Sequence, residues 1–158
     1  MAEKVKIGGI MSNGGLAKVG VMSVPDRPGV AAAVLNRLGE QSINVQFIVQ
    51  CIDLENRDHV VLCVSRTDLQ PALEALEAIK GEIGAQAIIH HPEVGIVSVF
   101  GPDFRERPGI AAQVFQALAS KGINILAIST SISTVSCVIA EELLDRAEEV
   151  LGETFALP

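Results

Sequence analysis

Two short stretches of the 158-residue chain carry the residue types that a binding site would use. Pro25-Asp26-Arg27-Pro28-Gly29 joins an apolar extended run to a helix-patterned one, and Arg107-Pro108-Gly109 joins two segments of the same kinds further along. A proline, with fixed φ and no N–H, followed by a glycine without a Cβ marks a tight turn. A helix starting at such a turn leaves its first backbone N–H groups without partners inside the helix. Each turn therefore presents donors, and each is a candidate binding site. The pair Ile-Asn follows both, as Ile43-Asn44 and Ile123-Asn124.

No catalytic set accompanies the turns. Ser129 to Ser136 is rich in hydroxyls, yet that repeat has no histidine to activate one. His90-His91, ahead of Pro92, lacks a third or fourth metal ligand nearby and reads as a surface loop, and His59 reads as a lone loop residue. Gly8-Gly9 and Gly14-Gly15 are not followed by a lysine and a helix at phosphate-binding spacing. Cys51, Cys63 and Cys137 sit in strand-like runs at no metal-ligand spacing, and an odd count argues against a disulfide framework. They read as small buried thiols. Neither a metal nor a cofactor is expected.

Composition narrows the partners. The net charge is -7, the twelve basic residues are scattered, and there is no Tyr or Trp to stack on bases, so nucleic acid is not an expected partner. Apolar residues make up 49% of the chain, but no apolar run approaches the roughly 18 residues that cross a bilayer. That apolar excess points instead to oligomerisation, a homodimer being the simplest case. Met1-Ala2-Glu3-Lys4 begins no secretory signal, which makes the cytoplasm the expected location. The length suits one ordinary domain or two small ones with marginal cores.

The elements that must hold the turns follow from periodicity. Lys4 to Ile10 reads as a strand and Ser12 to Gly15 as a turn cluster; Lys18 to Val24 is a second strand leading into the first turn. Val30, Val34 and Leu38 recur at spacing four, giving a helix that ends near Gln41. Val45 to Ile52 and His59 to Val64 read as a hairpin with a longer loop. Thr67 to Gln70 has the capping-box pattern ahead of Leu69, Leu73, Leu76 and Ile79, and Ala85 to His90 is a closing strand. The order then returns: strand Val94 to Phe100, helix Ile110 to Lys121 with Gly122 at its C-terminal end, strands Asn124 to Ser131 and Thr134 to Ala140, helix Glu141 to Leu151. Aligned at an offset of 80, residues 28–44 and 108–124 share eight identities in seventeen positions. The second half lacks a closing strand, and the first strand of the chain lacks a partner. The N-terminal strand is therefore expected to complete the second unit, with domain 14–92 inserted into a domain formed by 1–13 and 93–158.

The order βαββαβ with a glycine turn after the first strand resembles the ACT domain, a small regulatory module. Val24 to Ala32, Ile43-Asn44-Val45, Ile48-Val49-Gln50, Ile123-Asn124-Ile125 and Ile128-Ser129-Thr130-Ser131 are similar to the tandem ACT region of aspartate kinase, and the resemblance covers nearly the whole chain. It implies an α+β fold of two ferredoxin-like ACT domains, each an antiparallel sheet with helices on one face. It also implies the small regulatory subunit of such a kinase, without the catalytic domain, binding threonine, lysine or both under feedback control. The chain departs from the family at Ile132 and Thr134, where a Glu and a basic residue are usual, and at Cys51, where Asn is usual. Asp53 to His59 lacks the family's Gly-Thr-Thr-Asp turn, and Gly101 to Arg107 is unusually charged. These departures fit an alternative, a free-standing tandem ACT amino-acid sensor acting on another enzyme or a regulator.

For an α-amino acid, the N–H groups from Gly29 to Ala31 would meet the carboxylate at the positive end of the helix dipole. Asp26 would take the ammonium, and Asn44 and Gln50 would offer amides. The expected first set is Asp26, Arg27, Pro28, Gly29, Val30, Ala31, Asn44, Val45 and Gln50. The expected second set is Arg107, Pro108, Gly109, Ile110, Ala111, Asn124 and Ile125, of which Asn124 and Ile125 are also expected to complete the first.

Overall fold

The computed structural model describes residues 3–102 and 104–158. Six strands and four α-helices follow in the order β1 (Gly9–Pro25), α1 (Val30–Glu40), β2 (Val45–Ile52), β3 (Arg57–Ser65), α2 (Leu69–Ile83), β4 (Ala87–Phe100), α3 (Ile110–Ser120), β5 (Ala127–Thr130), β6 (Thr134–Ala140) and α4 (Leu144–Thr154). Hydrogen-bonded neighbours run β2-β3-β1-β4-β6-β5. The chain divides into two compact units: residues 15–93, and residues 94–158 together with the N-terminal segment up to Gly14.

In the unit of residues 15–93, β1 pairs antiparallel with β3, and β3 with β2. Alternate residues of β1 and β3, among them Val19, Val21, Val60, Leu62 and Val64, face the helices and bury against Val30, Val34 and Leu38 of α1 and Ala72 and Leu76 of α2. Burying each of the larger aliphatic side chains contributes about 1.5–3 kcal/mol, so this stripe holds the start of α1 firmly against the sheet. The other unit repeats the plan, with Val97, Val99, Val135, Cys137 and Ile139 packed on Ile110, Val114, Leu118, Ala147 and Leu151.

The N-terminal segment closes that second unit. Gly8 N–H donates to Phe100 O at 2.7 Å, and Val5 and Ile7 exchange hydrogen bonds with Ala156 beyond α4. The Phe100 ring lies so close that a Cβ on Gly9 would fall 2.7 Å from it, which explains a glycine there. Regular strand starts only at Gly9, however: of the expected strand Lys4–Ile10, Gly9 and Ile10 belong to β1, and the part before them makes a single parallel bridge, Lys6 with Ala156.

Four other expectations are corrected. Ser12 to Gly15 is no turn: β1 runs through it, because pairing to a neighbouring strand outweighs local turn propensity, and Gly15 alone takes φ 69°. The two runs expected at 85–90 and 94–100 are one strand, β4, which passes through Pro92 and places His90 and His91 on a strand. The capping box does not form: Thr67 lies in a 3-10 turn, Arg66–Asp68, its hydroxyl 3.1 Å from Ser65 Oγ, and α2 begins at Leu69 with no side-chain cap. Glu141–Leu143 is likewise a 3-10 turn, and α4 starts at Leu144.

Candidate functional site

The approach to the first turn is set by a β-bulge. Val21 pairs with Val60 and Val24 with Asp58, so β1 carries one residue more than β3 between these pairs, and Ser23 takes φ 57°. Ser23 N–H donates to His59 Nδ1 at 3.2 Å, and His59 Nε2 lies 2.8 Å from Asp53 Oδ2. Asp53 also caps its own loop, accepting the N–H groups of Glu55 and Arg57. The His59 hydrogen bond, followed by that of Glu55 N–H, holds the Asp53 carboxyl below its usual range. Arg57 donates to Ser23 Oγ at 2.5 Å and Ser23 O at 2.6 Å. His59 is thus a strand residue with two partners, not the lone loop residue expected.

Beyond the bulge, Asp26 N–H donates to Asn56 O at 3.1 Å, and Arg27 reaches Glu82 O at 3.3 Å. Gly29 is the N-cap of α1 with φ 98°, a left-handed conformation that a side chain would strain. No side chain caps this helix, so its opening N–H groups are left to solvent or ligand. Asp26, Arg27, Pro28 and Gly29 are exposed, Ala31 is half-buried, and Val30 is buried in the core. The buried Val30 side chain anchors this uncapped helix start on the core.

Strand register brings a further residue to this place. Gln50 is the ladder partner of Val60, which puts Gln50 on the helix-facing side of the sheet. Two residues before Val60, on the same face as Val60, Leu62 and Val64, stands Asp58, 0% exposed. Gln50 Nε2 donates to Asp58 Oδ2 at 3.1 Å, while Asp58 Oδ1 is buried and accepts from no group. Burial first, and then the charge and hydrogen bond of Asp26, push the Asp58 carboxyl above its usual range. Sequence reasoning missed Asp58. Its signal was present, an Asp in phase with the apolar alternation Val60, Leu62, Val64. Asn44 is exposed and Val45 half-buried, at the head of β2. Val45 pairs with Val64, which pairs with Ala17, whereas the turn follows Pro25, paired with Arg57, so both lie at the opposite end of the sheet from the first turn, a correction to their expected place in its site.

The second turn has the same skeleton and different chemistry. Gly109 caps α3 at φ 88°, Ile110 is buried and Ala111 half-buried. Arg107 lines a hollow of about 280 Å³ with Glu3, Lys4 and Lys6. Asn124 is exposed and Ile125 packs on the core; both precede β5, which starts three residues later than expected. Because Ala127 pairs with Val138, the partner of Ile96, while the turn follows Phe100, both lie at the other end of this unit's strands from Arg107 to Gly109, a correction to the expected second set. Thr130 pairs with Val135 as Gln50 does with Val60, and two residues before Val135 stands Ser133, where the first unit has Asp58. Among the described residues no group of His, Cys, Asp and Glu is arranged to hold a metal, and no helix is long and apolar enough to cross a membrane. Cys63 and Cys137 are buried as expected; Cys51 is exposed, a correction that follows from its place on the edge strand β2.

This doubled unit can be compared with known proteins. Residues 19–84 and residues 97–155 each match the ACT domain. The chain is 34% identical to the regulatory subunit of aspartate kinase from Thermus thermophilus, covering 95% of this chain and 99% of that one with a TM-score of 0.86. The chain belongs to the ACT-domain family of aspartate kinase regulatory regions. A chain from a crystal structure of aspartokinase alpha and beta subunits is 35% identical, at a TM-score of 0.86 over 94% of this chain and 97% of that one. Aspartate kinase Ask_LysC of Stutzerimonas stutzeri is 37% identical over 155 residues, 98% of this chain and 38% of that protein. The chain thus spans well under half the length of the curated kinases it matches. It corresponds to their regulatory part, a non-catalytic pair of ACT units, and the turns at Gly29 and Gly109 open the first helix of each.

Proposed function

We propose that the chain is an allosteric regulatory module that binds a small amino acid, threonine or lysine, and thereby feedback-controls an aspartate kinase. The observation that carries this reading is the polar set at the start of α1. Uncapped N–H groups offer a carboxylate site, and the Asp26 and Asp58 carboxyls with Gln50 offer an ammonium site beside it. A free amino acid carries both groups on one carbon. Each charge-assisted hydrogen bond contributes about 1.5–3 kcal/mol, and a few of them, less ordering costs, give a Kd of roughly micromolar to millimolar. The effector then shifts the partner's population by the difference in its affinity for the two states.

In this reading residues 14–92 form an inserted domain that holds the effector, the chain works as a homodimer in the cytoplasm, and the partner is a kinase catalytic subunit. Its likeness to a chain solved among alpha and beta subunits supports that partnership. Calorimetric titration with threonine and with lysine, paired with an aspartate kinase assay in the presence of the chain, tests it. Binding of either amino acid together with effector-dependent inhibition is expected; binding with no effect on the kinase would favour a free-standing sensor for another enzyme, the reading that exposed Ile132, in place of the family's Glu, also favours.

A further inference from the structure

Asp58 is an unusual residue to bury. It continues the core-facing row of β3 and is fully enclosed, with Oδ2 taken by Gln50 and Oδ1 meeting no donor. Asp58 pairs with Val24, and the Asp26 N–H, two residues on from Val24, donates to Asn56 O, two residues before Asp58, so Asp26 stands at this end of β3, and its carboxyl acts on that of Asp58. The nearby cations do not neutralise it. Arg57 spends its guanidinium on Ser23 Oγ, Ser23 O and Gly84 O, and Arg27 is on Glu82 O. His59, next along β3, has Nδ1 on Ser23 N–H and Nε2 on Asp53. Besides these two arginines, the titratable groups acting on Asp58 are Asp26, Asp53 and His59, two of them acids. A buried carboxylate with no cation is costly, and two facing carboxyls relieve that cost by sharing one proton.

We propose that Asp26 and Asp58 form a carboxyl pair that holds one proton in the free chain and exchanges it for the ammonium group of an α-amino acid. This rests on the effector reading above and adds Asp58 and a proton to it. An ammonium brings a full positive charge and three donors, so it can serve the orphaned Oδ1 of Asp58 and an Asp26 oxygen together. The displaced proton goes to solvent. The upward displacement of the Asp58 carboxyl by burial and by Asp26 agrees with a pair that stays protonated until a cation arrives. The second unit has Ser133 at the matching register, and the exchange is confined to residues 15–93.

The linkage has a definite sign. The free site binds more protons than the filled site, so affinity falls as pH drops through the pair's titration and is level above it. Calorimetry of the full chain with threonine and with lysine, from about pH 4.5 to pH 8 in buffers of different ionisation enthalpy, reads both quantities. Up to one proton released per ligand is expected, with affinity falling by as much as about tenfold per pH unit on the acid side. Asp58→Asn keeps an acceptor for Gln50 while removing the titrating group, and should abolish the release and flatten the profile. The hydroxy acid matching threonine, which has no ammonium, should release no proton. Amino-acid binding without proton release, or an Asp58→Asn chain with unchanged linkage, would overturn the exchange and leave the effector reading standing. Failure of both amino acids to bind at any pH would overturn both.

Discussion

His59 Nδ1 accepts the backbone N–H of Ser23 at 3.2 Å, across the bulge that aims β1 into the first turn. The bulge takes this N–H out of the ladder, and the imidazole replaces the lost carbonyl. Because Nδ1 accepts, the ring proton sits on Nε2, where it donates to Asp53 Oδ2 at 2.8 Å. A chain of two side chains thus fixes the backbone three residues before Asp26.

His59→Ala leaves the half-buried Ser23 N–H without its acceptor. Urea unfolding should show a loss of about 1–3 kcal/mol, the usual cost of an unpaired buried donor. An unchanged midpoint would mean that water replaces the imidazole freely.

The two acids beside this network should give opposite pH limbs. The Asp53 carboxyl is lowered from 3.8, so its contribution to stability is present above that value and is lost as pH falls through the folded value. The Asp58 carboxyl is raised from 3.8, so its contribution is present below that value and is lost as pH rises through the folded value. Asp53→Asn should destabilise at neutral pH and matter less in acid; Asp58→Asn should stabilise at neutral pH and converge on the parent in acid. Thermal melts at a series of pH values measure both.

Gly29 and Gly81 separate strain from space. A Cβ would meet nothing within 4 Å at either. Gly29 has φ 98°, and alanine there should cost about 1–2 kcal/mol. Gly81 lies inside α2 without positive φ, and alanine there should stabilise by about 0.5–1 kcal/mol. Chemical denaturation of the two variants checks the contrast.

Asp26→Ala removes an exposed side chain from the turn and should leave folding intact. Losing one charge-assisted contact of about 1.5–3 kcal/mol weakens effector binding by about tenfold or more. Equal affinity by calorimetry would remove Asp26 from the site.

The thiols should react unequally. Burial pushes Cys63 up to about 12 and Cys137 up to about 11, while Cys51 is exposed. A disulfide thiol reagent should titrate one cysteine in the native chain and all three in denaturant.

Much of the frame was legible because it is written in local periods. The spacing of Val30, Val34 and Leu38 drew α1, and the repeat of Arg-Pro-Gly and Ile-Asn drew the doubled unit. β2 and β6 fell at the expected residues, and the resemblance carried by the turns led to the right family. Strand ends were less legible. Gly15 and Pro92 carry turn chemistry in isolation, yet both lie within long strands whose pairing overrides it.

The sequence by itself determined the order of elements and the two glycine turns, with Asp26 in the first of them. Only the tertiary structure decided that Asp58 is buried, that Gln50 turns to it, and that His59 holds Ser23. The physical reason is register. Helical and strand periods are properties of neighbours in the chain. Which residue of β3 stands beside which residue of β1 depends on one extra residue at the bulge, and that residue places Asp58, not Arg57, opposite Val24.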